Sequence, residues 1–92
     1  MAIENQLNRE LKVIMERMKA GRVLLEFVNG EWSSIAYLRY DEAEKQAATE
    51  LGADADPQEV EHLIEHKRIN PIAKGKGTDA LRAIESLSAR NL

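Results

Sequence analysis

The chain reads as an α+β fold: an N-terminal helix, an antiparallel β-hairpin over about 22–40, then three helices over about 42–51, 57–68 and 79–89. Three observations predict it. Asn29-Gly30 stands between two runs rich in apolar, β-branched and aromatic residues, and both residues tolerate the positive φ of a type I′ turn. Apolar side chains recur at a helical period through residues 3–18. Asp56-Pro57-Gln58-Glu59 supplies the cap, the first-turn proline and the third-position acid of a helix start.

In the first helix, Ile3, Leu7, Leu11, Ile14 and Met18 draw one stripe, with Met15 beside it and Val13 off it. The stripe is expected to pack on the hairpin. Used between two subunits, it would give a two-heptad seam. Gly21 is the expected stop.

A two-residue turn sets the hairpin register, from Val28 opposite Glu31 and Phe27 opposite Trp32 down to Val23 opposite Ala36. One face then collects Val23, Leu25, Phe27, Trp32, Ala36, Leu38 and Tyr40, anchored by Phe27 and Trp32. The other collects Arg22, Leu24, Glu26, Ile35, Tyr37 and Arg39. A lone hairpin is barely stable, so helices should cover the first face. The outer face is either open to a partner or covered by the fourth helix. A competing parse runs one helix from Ser34 to Leu51, with Ser33-Ser34 as its cap.

The second helix opens with Asp41 and Glu44 as a capping box, shows a small face of Ala43, Ala47, Ala48 and Leu51, and ends at Gly52. The third turns Val60, Leu63 and Ile64 inward. Asn70-Pro71 then breaks the chain, and Lys74-Gly75-Lys76-Gly77 reads as a flexible basic loop. Thr78 or Asp79 caps the fourth helix, whose buried stripe is Ala80, Leu81, Ala83, Ile84 and Leu87.

The 92 residues make a single small globular domain, 1–92, with room for one modest core. There is no cysteine, so disulfides and thiolate metal sites are excluded, and a reducing cytoplasm is the expected compartment. No apolar run approaches the ~20 residues of a membrane span, and residues 1–6 lack the character of a signal peptide. The net charge of −3 conceals a polarity. Residues 41–65 carry nine acidic side chains against Lys45, while residues 66–92 carry six basic ones against Asp79 and Glu85.

Each motif that could carry chemistry is weighed against its plainer meaning. His62-Leu63-Ile64-Glu65-His66 matches the spacing of an inverted zinc-peptidase helix, and Glu85 is available as a further ligand. A chain of this length leaves no room for a substrate cleft behind such a helix. His62 and His66 are therefore read as a solvated pair, with metal binding a remote alternative. Lys74–Thr78 lacks the first glycine of a phosphate-binding loop, because Asn70 stands at that position. A weaker reading keeps one phosphate at the Thr78-Asp79 helix start, beside Lys67, Arg68, Lys74, Lys76 and Arg82. A helix-turn-helix built on Gly52 would offer phosphate a recognition helix bearing Glu59, Glu61 and Glu65, which repel it. The acidic block is a solvated surface or a nucleic-acid mimic. No catalytic constellation or cofactor motif is present, so neither enzyme activity nor a cofactor is expected.

The expected function is that of a small interaction protein. It would act as a regulator, or as a phage- or plasmid-type inhibitor of host machinery, by stoichiometric binding to a protein or nucleoprotein partner. Arg22, Leu24, Ile35, Tyr37 and Arg39 on the outer hairpin face are the expected contacts, since tyrosine and arginine are common interface anchors. The alternative is nucleic-acid backbone contact through Lys67, Arg68, Lys74, Lys76 and Arg82. No membrane contact is expected. A homodimer would form through the first helix or the hairpin edge.

Overall fold

Asn29 and Gly30 adopt φ of 54° and 81°, the doubly positive pair that a type I′ turn needs. The structure, a computed structural model, describes the backbone of residues 2–90 and the side chains of residues 5–87. Strands β1 (Ala20–Val28) and β2 (Glu31–Leu38) flank the turn, and their register runs from Val28 opposite Glu31 to Val23 opposite Ala36. The remaining elements are α1 (Ala2–Met18), α2 (Tyr40–Leu51), α3 (Pro57–Ile69), β3 (Pro71–Gly77) and α4 (Ala80–Arg90). The helix from Ser34 to Leu51 does not form, because Ser34–Leu38 is strand.

The two-stranded fold is corrected by β3. The stretch expected as a flexible basic loop pairs antiparallel with β2 and gives a three-stranded sheet in the order β1-β2-β3. Its register sets Trp32 opposite Gly77, Ser34 opposite Gly75 and Ala36 opposite Ala73, with a bulge between Ala36 and Tyr37. The glycines are needed by packing. A Cβ on Gly75 would lie 2.6 Å from the Ala83 carbonyl oxygen, and one on Gly77 would lie 2.5 Å from the Ala83 nitrogen. The backbone of α4 therefore rests directly on β3, and the residues between the glycines, Lys74 and Lys76, point to the other side.

The helix-covered face holds Ile14, Ala20, Ala36, Ile84 and Leu87, all buried, with Leu7, Leu11, Met15 and Met18 of α1 packed against them. The stripe on α1 thus packs on α4 as well as on β1. The side chain of Ile3 lies outside the described residues. A second buried cluster, Leu38, Ala43, Ala47 and Ile64, joins the end of β2 to α2 and α3. The single expected core is therefore accompanied by a satellite, which is small because its helices meet through alanines.

Several boundaries move. Lys19 ends α1 with φ of 59°, and Gly21 lies within β1 at a bulge, where a Cβ would come 3.0 Å from the Arg39 Cα. Tyr40 opens α2 rather than extending the strand, and Arg39 is the N-cap in place of Asp41. Phe27 and Trp32 do meet, in a tilted pair with 5.4 Å between ring centroids and 53° between the planes, but Phe27 is 62% exposed. The pair sits at the hairpin tip and does not anchor the core. The buried anchor on that face is Ser34, whose hydroxyl donates to the Ala83 carbonyl at 2.7 Å. Among the described residues no helix is long and apolar enough to cross a membrane.

Candidate functional site

Strand pairing assembles the site from three separate stretches of sequence. On the face opposite α4, one row runs Leu24–Ile35–Lys74 and the next runs Glu26–Ser33–Lys76. A third row sets Arg22 beside Tyr37, with Pro71 beyond it at the bulge. Neighbouring strands lie about 4.8 Å apart, so each row is in side-chain contact range. The fourth helix does not cover this face, since α4 packs on the inward glycines. Leu24 is 39% exposed, and Lys74, Lys76 and Arg22 are exposed. Ile35 and Tyr37, in the middle strand, are half-buried.

The face is apolar at its centre and cationic at its sides. The Arg22 guanidinium carbon stands 4.3 Å above the Tyr37 ring, which fixes both side chains with no carboxylate involved. Lys74 and Lys76 form no ion pair among the described residues. Glu26 supplies the nearest acid across the sheet, opposite Ser33.

The expected basic cluster is divided. Lys67 pairs with Glu50 at 3.1 Å, back on α2. Arg82 is on α4, against Gly77 on the covered side of the sheet. Asp79 accepts from the Arg82 amide at 2.8 Å, so the helix start read as a phosphate site already holds a carboxylate. Only Lys74 and Lys76 join the open face. Arg68 turns instead to Tyr40, its guanidinium carbon 5.1 Å from the ring centroid.

Arg68 and Arg39 meet the Arg22–Tyr37 row in a cleft of about 380 Å³, which Tyr40 and Glu65 also line. Arg39 Nε lies 3.3 Å from Asp41 Oδ1, close enough for an ion pair but without the alignment of a hydrogen bond. The sequence assigns Arg22, Tyr37 and Arg39 to one candidate set and Arg68 to another, and it places Tyr40 on the core face and Glu65 in the histidine motif rather than with them. The Tyr37/Tyr40 spacing was visible, but its meaning depends on the strand ending at Leu38.

His62 and His66 are exposed on α3. His66 Nε2 lies 3.1 Å from Asn70 Nδ2, and His62 lines a shallow recess with Gln58, Glu61 and Glu65. Among the described residues no group of three or more histidines, cysteines or acids is placed to hold a metal ion. No protein-family model, curated protein or solved structure matches this chain.

Proposed function

We propose that this is a non-catalytic interaction protein. It works in the cytoplasm by stoichiometric docking of its open sheet face onto a protein partner that presents an apolar patch with an acidic rim. The observation that carries the reading is the row geometry. Leu24, Ile35 and Tyr37 are contiguous on the face opposite α4, Tyr37 borders the cleft toward α3, and the cations Arg22, Lys74 and Lys76 flank them without an ion pair among the described residues. Apolar centres with tyrosine and arginine anchors are where interface energy concentrates. The cations select an acidic counterpart.

The face is small for this task. Three strands about seven residues long present roughly 300 Å² of plan area, against roughly 800 Å² on each side of a stable interface. The contact therefore extends to the hairpin tip, where Val28, on the same face as Leu24 and Glu26, is 48% exposed. A homodimer through the hairpin edge would use β1 alone, because both sides of β2 are paired.

The test is capture from host lysate after nuclease treatment, comparing wild type with the double variant Leu24→Ala/Tyr37→Ala. Loss of two anchors weakens binding by at least roughly thirtyfold, taking ~2 kcal/mol for one hot spot. Circular dichroism checks that the variant is folded. A folded variant that holds every captured partner at full strength ends the proposal.

A second reading has its own support in Lys74, Lys76 and Arg22, three cations on one face that form no ion pair among the described residues. Glu26 is the one acid in their rows, and the net positive face suits a nucleic-acid backbone. Its signature is an affinity that falls steeply with salt, and no binding to single or double strands at low salt removes it.

A further inference from the structure

We infer that the cleft between the end of the sheet and α3 is a binding site for the phosphate of a nucleotide, held by Arg22, Arg39 and Arg68. This goes beyond the docking face, with which the cleft shares Arg22 and Tyr37.

Three arginines line one cleft from three elements: β1, the β2–α2 junction and α3. Two of them are already oriented. Arg22 lies over Tyr37 at 4.3 Å and Arg68 over Tyr40 at 5.1 Å, so less rotamer freedom remains to be lost when an anion binds. Neither forms an ion pair among the described residues. The third, Arg39, has its Nε buried 3.3 Å from Asp41 Oδ1, an ion-pair contact without hydrogen-bond alignment, while its side chain as a whole stays 40% exposed. Arg39 therefore adds positive charge to the cleft.

At the start of α2 the N-cap residue Arg39 makes no side-chain cap, and the Glu42 amide donates instead to Asp41 Oδ1 at 2.8 Å, so that helix start already holds a carboxylate. The opposing end of α3 is damped, because Asn70 donates to the His66 carbonyl from its backbone at 3.3 Å and from its side chain at 2.9 Å. The acids facing the site are Glu65 in the lining and Asp41 beside Arg39, which leaves the three arginines in excess.

The ligand class follows from shape and charge. Forked donors suit the several oxygens of a phosphate better than one carboxylate. The guanidinium–tyrosine stacks offer planar surfaces to a base. A volume of about 380 Å³ suits one nucleotide unit, near the low end of the ~300–1,000 Å³ range of ligand pockets. The phosphate could belong to a free mononucleotide or to a nucleic-acid strand.

The experiment is calorimetric titration of the whole chain with AMP, adenosine, glutarate and the dinucleoside monophosphate ApA. AMP should bind and adenosine should not. Arg22→Ala and Arg68→Ala should each weaken AMP about tenfold or more, while both variants stay folded because these side chains are exposed. ApA matching AMP would assign a strand's internal phosphate, and AMP alone binding would assign a terminal one. No AMP binding at millimolar concentration, equal affinity for glutarate, or indifference to both substitutions would overturn the inference. The titration needs no partner protein, so its failure is separable from failure of the docking face.

Discussion

Gly75 sets how closely α4 can lie on the sheet. A side chain there meets the Ala83 carbonyl oxygen at 2.6 Å, the Ser34 hydroxyl at 2.8 Å and the Leu87 nitrogen at 2.9 Å. Two of these are helix backbone, so the strain cannot be relieved by turning a rotamer. Gly75→Ala should cost about 1–3 kcal/mol from overpacking, reduced by the ~0.4–1 kcal/mol that alanine gains by restricting the unfolded chain. Urea unfolding measures the net value, and a more stable variant would contradict the packing. Ser34 acts on the same contact. Its hydroxyl is fully buried and donates to the Ala83 carbonyl at 2.7 Å. Ser34→Ala removes that bond and leaves the carbonyl one donor short, a loss of about 1–2 kcal/mol. The two substitutions are coupled, since removing the hydroxyl also removes one of the atoms that an alanine at 75 would strike. The double variant should therefore be less destabilised than the sum of the singles, and strict additivity in the same unfolding assay would show that the residues do not share a contact.

At the scale of elements, α1 is held by one stripe. Ile14 is fully buried while its neighbour Val13 is 48% exposed. Ile14→Ala should cost roughly 2–5 kcal/mol, and Val13→Lys should fall within about 0.5 kcal/mol of wild type. Thermal or urea unfolding of the pair checks that α1 belongs to the core. A neutral Ile14→Ala would mean that α1 folds apart from it. This stripe was legible in the sequence because its signal is local. The same holds for the hairpin, whose register follows from two turn residues, and for α3, where Asp56 accepts from the Gln58 amide at 2.9 Å. The third strand was not legible. Its inward positions are Ala73, Gly75 and Gly77, because a helix backbone lies where large side chains would normally pack, so the alternation carries no large apolar residue. Glycine and lysine in turn read as loop. Tyr40 was misplaced for a related reason, since the alternation was carried past Leu38, where pairing stops. Half of the open face, Arg22, Leu24, Ile35 and Tyr37, followed from the hairpin register alone. Lys74 and Lys76 could not be added to it, because the pairing of Ile35 with Lys74 spans the whole helical pair α2–α3 and leaves no local trace.

For the whole molecule, the third strand changes what the charge pattern means. Along the chain, an acidic block precedes a basic one. In space, the acids of residues 41–65 line the helical pair, while β3 carries Lys74 and Lys76 onto the sheet beside Arg22. A molecule 50 Å long and 26 by 22 Å across, with net charge −3, thus presents a locally cationic face. Such an arrangement orients an acidic partner during approach and repels a basic one. Lys74→Glu/Lys76→Glu tests this without touching the core. Both side chains are exposed and unpaired among the described residues, so the unfolding free energy should stay within about 0.5 kcal/mol. With Arg22 and Glu26 retained, the local charge of the face passes from +2 to −2. Surface plasmon resonance against the partner captured by wild type should then show association slowed by about tenfold or more at low salt. The difference should shrink as salt shortens the screening length from about 10 Å at 0.1 M to about 3 Å at 1 M. Dissociation should change less, because rim charges act mainly on encounter. An association rate unchanged at low salt would mean that the lysines are solvated charge and that recognition rests on Leu24, Ile35 and Tyr37 alone.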